Sequence, residues 1–285
     1  MGLQNEQKPV SRMSKRITVS NILKDVNGTI YCRFGIRDFS GDHAIKLNAF
    51  HLKVISLVLM LVEHIGRYLP ELFPQHYPLY FEYAGRLVAP IFIFLAVESF
   101  HKTGNRRKYI LRLFTWALGM QIGNIIISQF VKIAFQPEAF FPIGQNIFLS
   151  LAVGVSMITA WDWARTQQGK KKFAGWVLAG LLAFASLLTE ASYNGLLMFI
   201  VFYAFYGKKP GLYFAYSALS IFYVVWGLNN AAYFWEFEFQ WMMISALPLI
   251  ALYNGERGRY SLKYLFYAIY PLHIWILYLL RSVIG

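Results

Sequence analysis

Apolar runs about fifteen to twenty-two residues long, separated by short stretches rich in charge, glycine or proline, set the pattern of this chain. Such runs are too long for strands and suit helices that cross a bilayer. The pattern predicts about nine helices, near 48–69, 79–100, 109–130, 146–163, 173–188, 193–207, 211–228, 239–253 and 263–282. The fifth and sixth, divided by Leu188-Thr189-Glu190-Ala191-Ser192, are short for full spans. The expected fold class is therefore all-α, a polytopic helical bundle. No internal repeat is visible, which counts against the duplicated-half architecture of many transporters.

Two regions follow from the same pattern: a polar stretch of mixed charge over 1–45 with no sustained periodicity, and a membrane domain over 46–285. The first reads as a mobile or interfacial cytoplasmic extension. Arg12, Lys15, Arg16, Lys24, Arg33, Arg37 and Lys46 precede the first span, and no secretory signal pattern is present. Basic residues then recur in alternate loops: Arg106, Arg107 and Lys108; Arg165 and Lys170 to Lys172; Lys208 and Lys209; Arg257, Arg259 and Lys263. The intervening loops hold little beyond Arg67 and Lys132, and one carries Glu236 and Glu238 among aromatics. The positive-inside rule places the N-terminus in the cytoplasm and, with an odd helix count, the C-terminus outside.

Composition agrees with a multi-pass protein of the cell membrane. The chain is 57% hydrophobic and only 14% charged, too apolar for an ordinary soluble domain. Its net charge of +13 does not indicate nucleic acid, because the basic residues are segregated by loop and no binding motif accompanies them. The lipid bilayer is the expected partner. A single cysteine, Cys32, excludes an intrachain disulfide and CxxC chemistry.

Ionisable groups inside the spans are the candidate chemistry, since they are expensive there unless they serve a site or pathway. Lys53, Glu63 and His64 all fall in the first span. The eleven-residue step from Lys53 to His64 is about three helical turns, so both side chains share a face about 16 Å apart along the axis. Lys53 is equally placed to snorkel to the headgroups. Arg86 lies four residues after Glu82 and either pairs with it or faces a site. Gln121, Asn124 and Ser128 form a polar stripe, either interhelical glue or the lining of a cavity. In the last span Phe266, Tyr270 and His273 share a face, and Pro271 frees a backbone carbonyl. The six histidines show no close pair at ligand spacing, so no metal is expected. Arg106, Arg107 and Arg112 surround the start of the third span, an arrangement suited to phosphate and also explained by topology alone. The turn Tyr253-Asn254-Gly255-Glu256-Arg257-Gly258-Arg259, whose glycines permit tight backbone, is expected opposite it on the same rim.

These stretches together resemble the TraX family of membrane acetyltransferases. The resemblance is carried by Leu47-Asn48-Ala49-Phe50-His51-Leu52-Lys53 leading to Glu63-His64-Ile65-Gly66, with Glu63 where that family usually has aspartate. It is carried further by Gly85-Arg86-Leu87-Val88-Ala89-Pro90, Lys108-Tyr109-Ile110-Leu111-Arg112-Leu113, Asn254-Gly255-Glu256-Arg257-Gly258 and Tyr270-Pro271-Leu272-His273. The basic residue, ten-residue gap and histidine also resemble acyltransferase family 3, with a wider similarity to the heparan glucosaminide acetyltransferases. The resemblance implies transfer of an acetyl group from cytoplasmic acetyl-CoA to an amine, or less readily a hydroxyl, on the extracytoplasmic side. The acceptor would be a peptide N-terminus, an amino sugar or a surface polymer; that family's best-known acceptor is the amino terminus of a conjugative pilin.

On this expectation His64, Glu63, Arg86 and His273 are the candidate catalytic residues. His64 acts as base or acetyl carrier, Glu63 orients its ring, and Arg86 with Asn124 or His273 stabilises the oxyanion. Lys53, Arg106, Arg107, Arg112, Asn124 and Arg257 are the candidate acetyl-CoA contacts. The competing expectation is a proton-coupled small-molecule transporter in which Glu63, His64 and His273 form a relay.

Overall fold

The computed structural model describes residues 22–24, 30–32, 46–74, 77–135, 140–228, 240–258 and 263–284. The chain divides into two compact units, Met1–Ala44 and Ile45–Gly285. In the first, β1 (Ile22–Lys24) pairs antiparallel with β2 (Ile30–Cys32), Ile22 opposite Cys32. This pairing was not expected from the polar composition. Its signal is local: Ile22-Leu23 and Ile30-Tyr31 are short apolar runs of strand-favouring residues within the polar stretch. The rest of the expected extension lies outside the described residues, as do Glu236, Glu238 and Arg259.

The second unit is helical. It comprises α1 (Ala49–Tyr68), α2 (Tyr77–Gly85), α3 (Val88–Lys102), α4 (Arg106–Phe135) and α5 (Ile147–Thr166). There follow α6 (Gly169–Leu187), α7 (Ser192–Ala204), α8 (Lys209–Leu228), α9 (Ala246–Ala251) and α10 (Lys263–Ile284), with 3-10 turns at Pro70–Leu72 and Gln240–Ser245. Each of the nine predicted segments is helical over much of its length. Among the described residues, six stretches are long and apolar enough to cross a membrane: 49–68, 79–102, 106–135, 147–166, 209–228 and 264–284. Ser192–Ala204 and Gln240–Ala251 are apolar but shorter.

Burial separates two kinds of span. Leu118, Ile122, Ile125, Ile126 and Ile133 of α4 are exposed, an apolar face of the kind a bilayer covers. On α5, by contrast, Leu151, Ala152, Val155, Met157 and Ile158 are buried, and α5 packs against α3, α4, α6 and α7. Its apolar surface is thereby removed from lipid and given to the protein core.

The second predicted helix is interrupted at Arg86-Leu87. Gly85 ends α2 beside Glu63, where an added Cβ would overlap the Glu63 carboxyl group. Pro90 falls in the first turn of α3, where a missing N–H removes no intrahelical bond. The break therefore lets α2 close on α1 while α3 starts afresh.

Residues 140–146 form no helix or strand, and the polar stripe of α4 supports them. Ser128 Oγ accepts from Ile143 N at 3.0 Å, and Asn124 Nδ2 donates to Gln145 O at 2.8 Å. Asn146 Nδ2 reaches Ala117 O at 3.0 Å and Gln121 Oε1 at 3.4 Å, while its own Oδ1 caps α5 at Leu149 N. Non-helical backbone inside a bundle is tolerable when its polar groups are satisfied this way. The stripe is glue.

The turn at 252–258 docks on the start of α1. Leu47 N donates to Leu252 O, Asn254 N to Leu47 O, and Ala49 N, a donor with no intrahelical acceptor, to Glu256 O at 2.9 Å. Gly255 and Gly258 have φ of 82° and 87°, and a Cβ at Gly258 would strike Asn48, the N-cap of α1. Gly258→Ala is therefore expected to lower the apparent melting temperature in detergent. Gly104→Ala, with nothing within 4 Å of the new Cβ, should leave it unchanged.

Candidate active site

α1 and α10 bring His64 and His273 together across 209 residues of sequence. His273 Nε2 lies 3.2 Å from His64 Nδ1, with ring centroids 4.9 Å apart and the planes at 63°. Both side chains are buried. Each ring also faces the carbonyl one turn back: His64 Nδ1 is 2.9 Å from Met60 O, and His273 Nδ1 is 2.8 Å from Ile269 O.

Those carbonyls decide the tautomers. A carbonyl oxygen only accepts, so His273 Nδ1 carries its proton and, in the neutral ring, Nε2 carries none. That bare nitrogen accepts from His64 Nδ1–H, which is shared with Met60 O. Neutral His64 is thereby left with an unprotonated Nε2, to which no described residue makes a hydrogen bond. The pair is wired to present one lone pair, at His64 Nε2.

Glu63 does not orient this ring. Adjacent helical residues point about 100° apart, and Glu63 accepts from Arg67 at 3.0 Å instead. Arg67 also holds Glu82 at 3.0 Å, and Arg86 pairs with Glu82 at 2.5 Å. Glu63 and Arg86 thus belong to an ion-pair network that ties α1 to α2. The orientation expected of Glu63 is supplied by Met60 O and His273.

A cavity of about 440 Å³ runs beside α1. By their positions along the helices, the lining residues Lys53, Lys102, Arg112 and Arg257 fall toward one end together with Glu98, and Met60, Ile147 and Tyr270 toward the other. Leu57, Phe92, Leu95 and Leu151 line the stretch between them. Met60 and Tyr270 are about one helical turn from His64 and His273, so the cavity stops a single layer short of the pair.

At the basic end each cation is positioned by its neighbours. Arg112 Nε donates to Tyr267 Oη at 3.3 Å and its guanidinium lies over Tyr109. Lys53 Nζ is 5.8 Å from the Phe266 ring centroid. Lys102 bonds Gly255 O and pairs with Glu98 at 2.6 Å. Burial and the Glu98 carboxylate push the Tyr253 phenol well above its ordinary range, which keeps it a neutral donor to Glu98.

Of the expected acetyl-CoA contacts, Lys53, Arg112 and Arg257 line this cavity, whereas Arg106, Arg107 and Asn124 do not. Arg106 pairs with Asp162 at 2.5 Å and lies over Phe100; Arg107 is exposed. Six residues separate Arg106 from Arg112, about 240° around the helix, so the two cannot serve one face. Asn124 accepts from Trp275 Nε1 at 2.8 Å and supports Gln145.

Sequence reasoning missed Glu190. The turn between α6 and α7 sets its carboxylate at the N-terminus of α5, where Oε2 accepts from Asn146 N at 2.6 Å and from Tyr270 Oη at 3.1 Å. A lone carboxylate between two short apolar helices was the available signal.

Known proteins add three findings. The chain is 24% identical over 255 residues to a protein of Dichelobacter nodosus named as a probable fimbrial assembly protein FimC, serogroup H1, a match covering 82% of this chain and 95% of that protein. No solved structure matches. The family description "TraX protein" matches residues 49–281, which include the histidine pair and the whole cavity lining, and the chain belongs to the TraX family.

Proposed function

We propose that this protein is a membrane-embedded acetyltransferase that takes the acetyl group of acetyl-CoA at its basic rim and passes it to an amine acceptor on the other side. The observation that carries the reading is the cavity itself, with cations at one end and, a layer beyond the other, a buried histidine with a bare Nε2. Four basic side chains suit the nucleotide phosphates, of which Arg112 can give a forked, charge-assisted contact. The apolar middle suits a thin pantetheine arm, and the Lys53-to-His64 rise of about 16 Å is the length that arm must cover.

In this reading the basic rim faces the cytoplasm, where the positive-inside rule puts it, with the N-terminus on the same side, nine crossings and the cell membrane as location. With the acetyl end of the donor inserted past the flexible Met60 side chain into the histidine layer, the acceptor nitrogen attacks the thioester carbonyl carbon while His64 Nε2 removes its proton. The C–S bond breaks, and the thiolate takes that proton to leave as coenzyme A. The same bare Nε2 serves equally to carry the acetyl group between donor and acceptor. Met60 O and the His273 ring stabilise the charge that His64 gains in either route. A relative named for fimbrial assembly supports a surface-filament protein as acceptor. A proton relay through Glu63 is less well supported, because that carboxylate is engaged by Arg67.

Arg112→Ala is expected to raise the KM for acetyl-CoA roughly tenfold, or about 1.4 kcal/mol, with a small change at saturating donor. Steady-state kinetics in proteoliposomes, with labelled acetyl-CoA and a peptide bearing a free amino terminus, measure it. Arg106→Ala, whose side chain is paired with Asp162 away from the cavity, should leave that KM within about threefold. Equal effects from the two variants would move the phosphate site off the cavity.

A further inference from the structure

Tyr270 occupies a position that the histidines alone do not explain. Its side chain lines the inner end of the cavity, and its ring meets His273 edge-on with centroids 5.7 Å apart. Its Oη stands 3.4 Å from Ile147 N at the start of α5, and 3.1 and 3.4 Å from the two oxygens of Glu190. Both Tyr270 and the Glu190 turn are therefore fixed to the N-terminus of α5, where partial positive charge from the helix dipole collects.

We propose that Tyr270 is a further catalytic residue, whose O–H donates to the thioester oxygen as it becomes an oxyanion, and that Glu190 is the positioning residue that aims it. The inference rests on the acetyl-transfer reading above. Glu190 Oε2 is already engaged by Asn146 N–H, which leaves Oε1 as the oxygen able to hold a proton. In the resting site Tyr270 Oη donates to Glu190 Oε2 at 3.1 Å and accepts from Ile147 N at 3.4 Å; with a proton on Oε1 the carboxyl O–H donates to Oη instead, and the phenol's own proton becomes available to the substrate. In the step itself the acceptor nitrogen adds to the carbonyl carbon and the π pair moves to oxygen, where Tyr270 O–H meets it. When the pair returns, the C–S bond breaks and the hydrogen bond relaxes, with no net proton taken from Tyr270. Both groups stand in place before substrate arrives, the condition under which such donors are most effective.

Steady-state acetyl transfer by the full chain in proteoliposomes tests this, with labelled acetyl-CoA and an amine peptide, alongside calorimetry of acetyl-CoA binding. Tyr270→Phe should bind acetyl-CoA as the wild type does and lose about 10²–10³-fold in kcat, the usual loss for one oxyanion donor. Glu190→Gln, whose amide can accept from Asn146 N and donate to Tyr270 Oη, should stay within about fivefold, whereas Glu190→Leu should fall nearly as far as Tyr270→Phe. A merely structural role would not separate Gln from Leu in kcat while binding stays constant. The inference is overturned if wild type transfers acetyl and Tyr270→Phe keeps kcat within threefold, a result that leaves His64 and the donor site standing. Failure of the wild type to bind or use acetyl-CoA would overturn both the inference and the function on which it rests.

Discussion

Replacing His64 with alanine is expected to abolish acetyl transfer while acetyl-CoA still binds. The cations that would hold the nucleotide lie toward the far end of the cavity from this ring, and of the four ring nitrogens of the histidine pair His64 Nε2 is the one whose lone pair no described residue engages. Loss of a general base costs about 10²–10⁴-fold, and the loss belongs in kcat rather than in KM for the donor. Labelled-acetyl kinetics together with calorimetry on the same preparation measure the split. Transfer within threefold of wild type would remove His64 from the mechanism.

His273 is expected to matter almost as much, through His64. With His273→Phe the His64 Nδ1–H keeps only Met60 O, the tautomer is less firmly fixed, and the charge gained in the reaction loses its second acceptor. A loss of about 10²-fold in kcat follows from misplacing a catalytic group by a fraction of its hydrogen-bonding geometry. His273→Gln, which retains an acceptor oxygen, should recover part of it. Because His273 acts only by way of His64, the double variant H64A/H273F should be no slower than H64A alone. Additive losses would show that His273 does chemistry of its own.

Much of this arrangement is legible in the sequence, and the gaps have physical causes. Apolar period and length locate the helices, because in a bilayer both are imposed by the solvent. The same rule hides the break at Arg86-Leu87, where hydropathy stays high and only Gly85 and Pro90 mark the change. His64 and His273 are readable as ionisable residues in spans, and the proline-linked Tyr270 as their neighbour. Their partners are not readable, since Met60 O and Ile269 O are backbone and every residue has a carbonyl. Glu63 misleads by adjacency: a neighbour in sequence is a quarter-turn away in space. Arg106 misleads by charge, because Asp162 lies 56 residues on and no local pattern announces the pair. Asn124 shows how a polar stripe readable either as glue or as a cavity lining satisfies a non-helical segment, a role visible only once residues 140–146 are seen against it. Glu190 escapes because its function depends on the start of α5, 44 residues earlier, meeting the turn where it sits.

The central claim is that acetyl leaves coenzyme A at the inner end of this cavity and reaches an amine by way of His64. Proteoliposomes with the basic rim outward, acetyl-labelled acetyl-CoA outside and a peptide with a free amino terminus sealed inside test it most directly. The account predicts label in the peptide, stoichiometric release of coenzyme A outside, and neither with H64A. No binding of acetyl-CoA by the wild-type protein, together with accumulation of a small solute in its absence, would contradict the account and favour a transporter.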